Sequence, residues 1–168
     1  SVAFKGGGAY LVDCTATLVD VDVIGNQASF QGAGVFALGG TLDWTRGVVS
    51  GNRATNGGGG LHLASADAVV RNVVFRRNWT LFFGSAIGIE NDDGRENGDL
   101  LAEYLTLADN VSTTLGAIAR RVDSPVTIRY SIFRGNAPYA VYDTSSSHAD
   151  LTLEGNVYWK NKFLVFPA

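Results

Sequence analysis

One stretch decides how this chain folds. It opens with Gly58-Gly59-Gly60-Leu61, passes through Ala68-Val69-Val70-Arg71, and closes on Phe75-Arg76-Arg77-Asn78. An apolar residue three places before an asparagine recurs as Val23-Ile24-Gly25-Asn26 and Val49-Ser50-Gly51-Asn52 upstream. Downstream it returns as Leu107-Ala108-Asp109-Asn110, Phe133-Arg134-Gly135-Asn136 and Tyr158-Trp159-Lys160-Asn161. Successive asparagines stand 26, 26, 32, 26 and 25 residues apart. The glycine element keeps step with them. Gly6-Gly7-Gly8-Ala9, Gly32-Ala33-Gly34-Val35 and Gly58-Gly59-Gly60-Leu61 each place their third residue 18 positions before an asparagine. Later copies loosen to Gly84-Ser85-Ala86-Ile87, Gly116-Ala117-Ile118 and Tyr139-Ala140-Val141. Self-similarity at a period of this size is the signature of a repeat architecture.

Between the two markers the chain alternates. Seven positions before the apolar residue of each closing motif lie Ala16, Leu42, Ala68, Leu100, Val126 and Leu151. Five before it lie Leu18, Trp44, Val70, Ala102, Ile128 and Leu153. The column next to the second reads Val19, Thr45, Arg71, Glu103, Arg129 and Glu154, counted four before. Apolar columns two places apart with a polar one beside them are the period-2 pattern of strands with one buried face. Equivalent residues that recur once per turn stack on their own copies about 4.8 Å away, so the strands are parallel. Asn26, Asn52, Asn78, Asn110, Asn136 and Asn161 then form a structural ladder at one corner, each amide donating to one rung and accepting from the other. Glycines at the opposite corner permit the positive φ that other residues resist. The fold expected is all-β, a parallel β-solenoid of six rungs. The single longer repeat is accounted for by the turn-rich insertion Asn91–Asp99, which bulges from one rung and leaves the next in register.

Composition agrees and narrows the function. The chain has 168 residues, 46% of them hydrophobic, enough to bury a core, and one domain spanning 1–168 is expected. Only 17% are charged and the net charge is −3, so no basic field exists to attract nucleic acid. Cys14 stands alone, which excludes an intrachain disulfide and a cysteine zinc cluster; a buried packing role is expected for it. No apolar run approaches the roughly 20 residues that span a bilayer. The sequence begins at Ser1 and contains no methionine, as expected of part of a longer, processed chain.

The pairing of Gly-Gly-Ala-Ile-like elements with Phe-x-x-Asn elements resembles the polymorphic outer membrane protein repeat, within the pectin-lyase-like class of right-handed parallel β-helices. Gly84-Ser85-Ala86-Ile87 and Phe133-Arg134-Gly135-Asn136 are among the clearer copies, and the resemblance runs from Gly6 to Asn161. It implies a right-handed single-stranded parallel β-helix in a secreted or cell-surface module of the bacterial exterior, often adhesive. It implies no cofactor.

Candidate sites follow from the columns. A β-helix polysaccharide lyase needs clustered carboxylates to hold Ca²⁺ and a free Arg or Lys as base. The outward column offers Arg71, Glu103, Arg129 and Glu154, whose alternating signs predict mutual pairing instead of a cation site. Asp20 and Asp22 offer two carboxylates that the alternation turns to solvent. Asp92, Asp93, Glu96 and Asp99 in the insertion are weak candidates for a hard cation, without the EF-hand spacing. Tyr10, Phe36 and His62 occupy equivalent outward positions and are expected to stack, as a platform for sugar rings or as a structural row. Trp79, Phe82 and Phe83 sit where other rungs carry small or polar residues, and mark a packed corner or an exposed contact patch. His62 and His148 lie more than three rungs apart, too far to share a metal or a triad. Asn78-Trp79-Thr80 and Asn110-Val111-Ser112 are sequons whose asparagines belong to the ladder, so both are expected buried and unmodified. A threonine array of the ice-binding kind would need the column Thr17, Asp43, Val69, Leu101, Thr127, Thr152, which is interrupted in its middle. The function expected is non-catalytic structural or adhesive binding to a surface glycan or protein. Neither end reads as capped, because the first rung starts at once and the apolar segment 163–168 is no amphipathic helix. Caps supplied by a longer parent chain are the first expectation, and self-association end to end is the second. A polysaccharide lyase, glycoside hydrolase or glycan-binding module is the alternative.

Overall fold

The computed structural model describes residues 2–91, 94–96, 98–146 and 150–166, with the side chains of 165 and 166 left aside. The chain is a parallel β-solenoid of six rungs, its strands gathered into an 11-stranded and a 10-stranded sheet that enclose one core. Every strand pairing is parallel, and partners lie one repeat apart, as in Ala68 with Leu42 before it and Leu100 after it.

The 10-stranded sheet contains Thr15–Val19, Thr41–Ser50, Asp67–Arg76, Leu100–Glu103, Val126–Arg129 and Leu151–Glu154, with the short strands that follow them. Its inward columns are those the alternation marks: Leu42, Ala68, Leu100 and Val126, and beside them Trp44, Val70, Ala102 and Ile128, are buried. Their copies on the outer rungs, Ala16, Leu18, Leu151 and Leu153, are only partly buried. The 11-stranded sheet adds Val35, Leu61, Ile87, Ile118 and Val141 from the segments after the glycine corners. Phe163–Phe166 continues this sheet by pairing with Ala137–Asp143, and Phe163 stacks on Tyr139 at 5.0 Å.

The asparagines form a continuous hydrogen-bonded ladder. Oδ1 of Asn78 accepts from the backbone N and from Nδ2 of Asn52, both at 3.0 Å, while Nδ2 of Asn78 donates to the Val49 carbonyl at 2.8 Å. The arrangement repeats from Asn26 to Asn161. Each amide therefore caps the carbonyl of the apolar residue that opens the preceding closing motif, which explains the fixed three-residue spacing. The residue just before each asparagine (Gly25, Gly51, Arg77, Asp109, Gly135, Lys160) is left-handed, and this is what swings the amide inward.

Cys14 is exposed, contrary to the packing role expected. It lies in the turn between Ala9–Val12 and Thr15–Val19 on the first rung, where one neighbouring rung, not two, covers it. The insertion also differs from a free loop. Its described residues fold back along the corner: Asn91 accepts from the Ser65 hydroxyl at 2.9 Å, and Arg95 reaches Asp13, 82 residues away on the first rung. Gly98 is buried so close to the preceding rung that a Cβ there would meet the Ala66 carbonyl at 2.2 Å.

Candidate functional site

The outer face of the 10-stranded sheet carries a shallow groove of about 430 Å³. Two neighbouring outward columns line it. One runs Thr15, Thr41, Asp67, Asp99 and Pro125; the other runs Thr17, Asp43, Val69, Leu101 and Thr127. Strand alternation turns these side chains out while Ala68 and Leu100 between them turn in. Val69 and Leu101 give the groove a half-buried apolar floor, with hydroxyls at both ends and three carboxylates between. Among the described residues no Lys or Arg lines it.

Asp67 and Asp99 stand on successive rungs. The Asp99 amide donates to Oδ1 of Asp67 at 2.9 Å. Burial, and next the neighbouring Asp67 charge, hold the Asp99 carboxyl above its ordinary value. The depression beside the groove shares Thr41 and Asp67 with it and contains Arg95 and Glu96, but the Arg95 guanidinium is paired with Asp13.

On the other flank stands the charged column. Arg71 Nε donates to Oε2 of Glu103 at 2.7 Å, and Arg129 Nε to Oε1 at 2.6 Å. The two guanidiniums, Arg71 before Arg129, hold the Glu103 carboxyl below its ordinary value. Glu154 departs from the expected mutual pairing: it accepts from the Tyr130 hydroxyl at 3.1 Å, because both guanidiniums turn to Glu103. Asp20 is exposed and bound by Arg46 of the next rung at 2.6 Å, and Asp22 accepts the Val48 amide at 2.8 Å. Each carboxylate is thus tied to the next rung.

The family model of the right-handed β-helix region matches residues 5–165. The chain belongs to the right-handed β-helix family. Searches among curated proteins and solved structures return no match for this β-helix.

In this β-helix the aromatic row stacks, but not as a surface. Tyr10, Phe36 and His62 follow one another at 5.3 and 5.2 Å, yet Phe36 and His62 are fully buried and only Tyr10 reaches solvent. The glycine corner explains the burial: its chain doubles back, laying Gln31, Gly57 and Phe83 over the row. Phe83 meets His62 edge-on at 6.2 Å. His62 Nε2 stands 3.0 Å from Glu90. Burial pushes the Glu90 carboxyl up, but His62, Arg121 and Gln31 together outweigh it and leave it below its ordinary value. Phe36 and His62 are thus not a sugar platform.

The second aromatic candidate divides. Phe83 belongs to that buried cluster, under the Arg121 guanidinium at 4.4 Å. Trp79 is half-buried with Arg53 stacked on it at 3.9 Å, and Phe82 is exposed. The structure therefore brings Phe36, His62 and Phe83 together and leaves Trp79 and Phe82 apart from them. Of the weak metal candidates, Asp92 and Asp93 lie outside the described residues, Glu96 is exposed, and Asp99 belongs to the groove. Among the described residues no three His, Cys, Asp or Glu side chains converge to hold a metal. His148 also lies outside the described residues.

The β-helix core holds one feature that the column reading missed. Arg120 and Asp143 fall in the inward column that earlier rungs fill with Ala37, Leu63 and Ile89. Both are buried and joined twice, and the guanidinium also donates to the Ser124 carbonyl at 2.7 Å and the Ser145 hydroxyl at 2.6 Å. Extending the alternation two residues past Ile118 and Val141 locates the pair. Of the groove, the sequence reading held only the interrupted threonine column, weighed as an ice-binding array, and it missed the neighbouring column with Asp67.

Proposed function

We propose that this β-helix is a non-catalytic binding module of the bacterial exterior that holds a surface glycan in the groove over Val69 and Leu101. The observation that carries the reading is the composition of that groove. Hydroxyls, carboxylates and an apolar floor suit sugar recognition, in which ring faces pack on apolar side chains and hydroxyls exchange hydrogen bonds. A lyase needs a free cationic base beside its carboxylates; the flanking Arg71 and Arg129 are committed to Glu103, and Arg95 in the adjoining depression is paired with Asp13. The likeness to the polymorphic outer membrane protein repeat supports an exposed, adhesive setting. Immobilised protein on a glycan array, with and without Ca²⁺, tests this. Retention of a glycan without its cleavage is expected; unsaturated uronate products would transfer the groove to lyase chemistry.

A second reading, glycoside hydrolysis, is favoured by the Asp67–Asp99 pair, since such enzymes use two carboxylates of which one is held protonated. Release of new reducing ends from bound oligosaccharide, lost in Asp99→Asn, would establish it.

A further inference from the structure

Elsewhere on the surface of this solenoid, stacked charges alternate in sign. Asp20 meets Arg46, and Glu103 is clasped by Arg71 and Arg129. Stacking at about 4.8 Å makes this a rule of economy, because like charges that close repel. The groove breaks the rule. Asp67 and Asp99 occupy the same column on consecutive rungs, Asp43 stands in the column beside them, and no Lys or Arg among the described residues lines the space. The negative charge sits on three solvent-exposed carboxylates that border a half-buried apolar floor.

We propose that the groove binds an amine-bearing glycan, a polymer of sugars with free, protonated amino groups. This rests on the glycan reading above and specifies its ligand class. A bare metal ion does not fit, since no cluster of three ligating side chains forms among the described residues. A uronate polymer is repelled. A protonated amino sugar supplies each part the groove lacks: ammonium groups between Asp67, Asp99 and Asp43, a ring face for Val69 and Leu101, and hydroxyls for Thr17 and Thr127.

Isothermal titration with three oligomers of one length tests it: β-1,4-linked glucosamine, its fully N-acetylated form and oligogalacturonate, with oligolysine as a fourth arm. The glucosamine oligomer is expected to bind and to weaken as salt rises. Acetylation, or Asp67→Asn with Asp99→Asn, is expected to weaken it at least about tenfold, the size of one lost charge-assisted hydrogen bond. Val69→Arg, with an unchanged melting profile, is expected to abolish it. Equal binding of the N-acetylated oligomer overturns the amine requirement but leaves the glycan reading standing. Equal binding of oligolysine replaces the sugar site with bare cation attraction. Failure of every oligosaccharide removes the glycan reading itself.

Discussion

Arg120 and Asp143 meet inside the solenoid as a bidentate pair, Nε to Oδ1 at 3.0 Å and Nη2 to Oδ2 at 2.8 Å, one rung apart. A charge in this position has lost its water, so its worth depends on every donor finding an acceptor. Here the Ser124 carbonyl and the Ser145 hydroxyl complete the set, and both belong to the turns that lead from one sheet to the other. The pair fastens those turns from within.

Removing one partner should therefore cost far more than removing both. Arg120→Ala leaves a buried carboxylate and is expected to lose about 3–5 kcal/mol in chemical denaturation. The double variant Arg120→Leu with Asp143→Val restores an apolar column and should recover most of that loss. A double variant no more stable than Arg120→Ala would mean that the pair has no role beyond its own hydrogen bonds to the turns.

Asn78→Ala is expected to destabilise by about 2–4 kcal/mol, since it leaves the Val49 carbonyl and the Asn52 donors without partners in a buried corner. Asn56→Ala lies outside the ladder and should change stability by less than about 0.5 kcal/mol. Equal melting temperatures for the two would contradict the ladder's energetic role.

Two carboxylates should respond to pH with opposite sign. The folded value of Glu103 is lowered, so its stabilising contribution is complete above the ordinary glutamate value of about 4.3 and disappears as pH falls through the lowered one. The advantage of the native protein over Glu103→Gln should shrink in that acid range. The folded value of Asp99 is raised, so its ionised form costs stability at neutral pH and the cost vanishes on acidification. Asp99→Asn should melt higher than the native protein at neutral pH and no higher in acid. Melting curves across pH for both variants check the two signs together.

Gly51 and Gly47 look alike in sequence and should not behave alike. Gly51 is left-handed at φ 64° with open space around its missing Cβ, so Gly51→Ala carries only the left-handed penalty of about 1–2 kcal/mol. Gly47 presses on the preceding rung, and a Cβ there would stand 2.0 Å from the Val21 carbonyl. Gly47→Ala should shift the midpoint of unfolding well beyond Gly51→Ala.

The strand faces and the asparagine corner were legible because stacking repeats each residue's environment, so a column speaks where a single residue does not. Corners with no residue preference were silent. Asp20, Arg46, Asn72, Tyr104, Tyr130 and Gly155 are all left-handed, but one glycine among six gives the eye nothing to follow. Burial of Phe36 and His62 was hidden for another reason. Alternation turns them outward correctly, and only the doubling back of the glycine corner covers them. The Arg120–Asp143 pair sat two residues past Ile118 and Val141, in a column that the reading did not follow.

In a solenoid each rung touches only its neighbours, so unfolding ordinarily runs like a row of dominoes from whichever end is weaker. The contact of Arg95 with Asp13 skips that order, tying the insertion within the fourth rung back to the first. It works as a light clasp on a stack of plates: an exposed ion pair of small worth favours the rungs beneath it lifting away together. Hydrogen exchange across the first three rungs should accordingly be more concerted in the native protein than in Arg95→Ala.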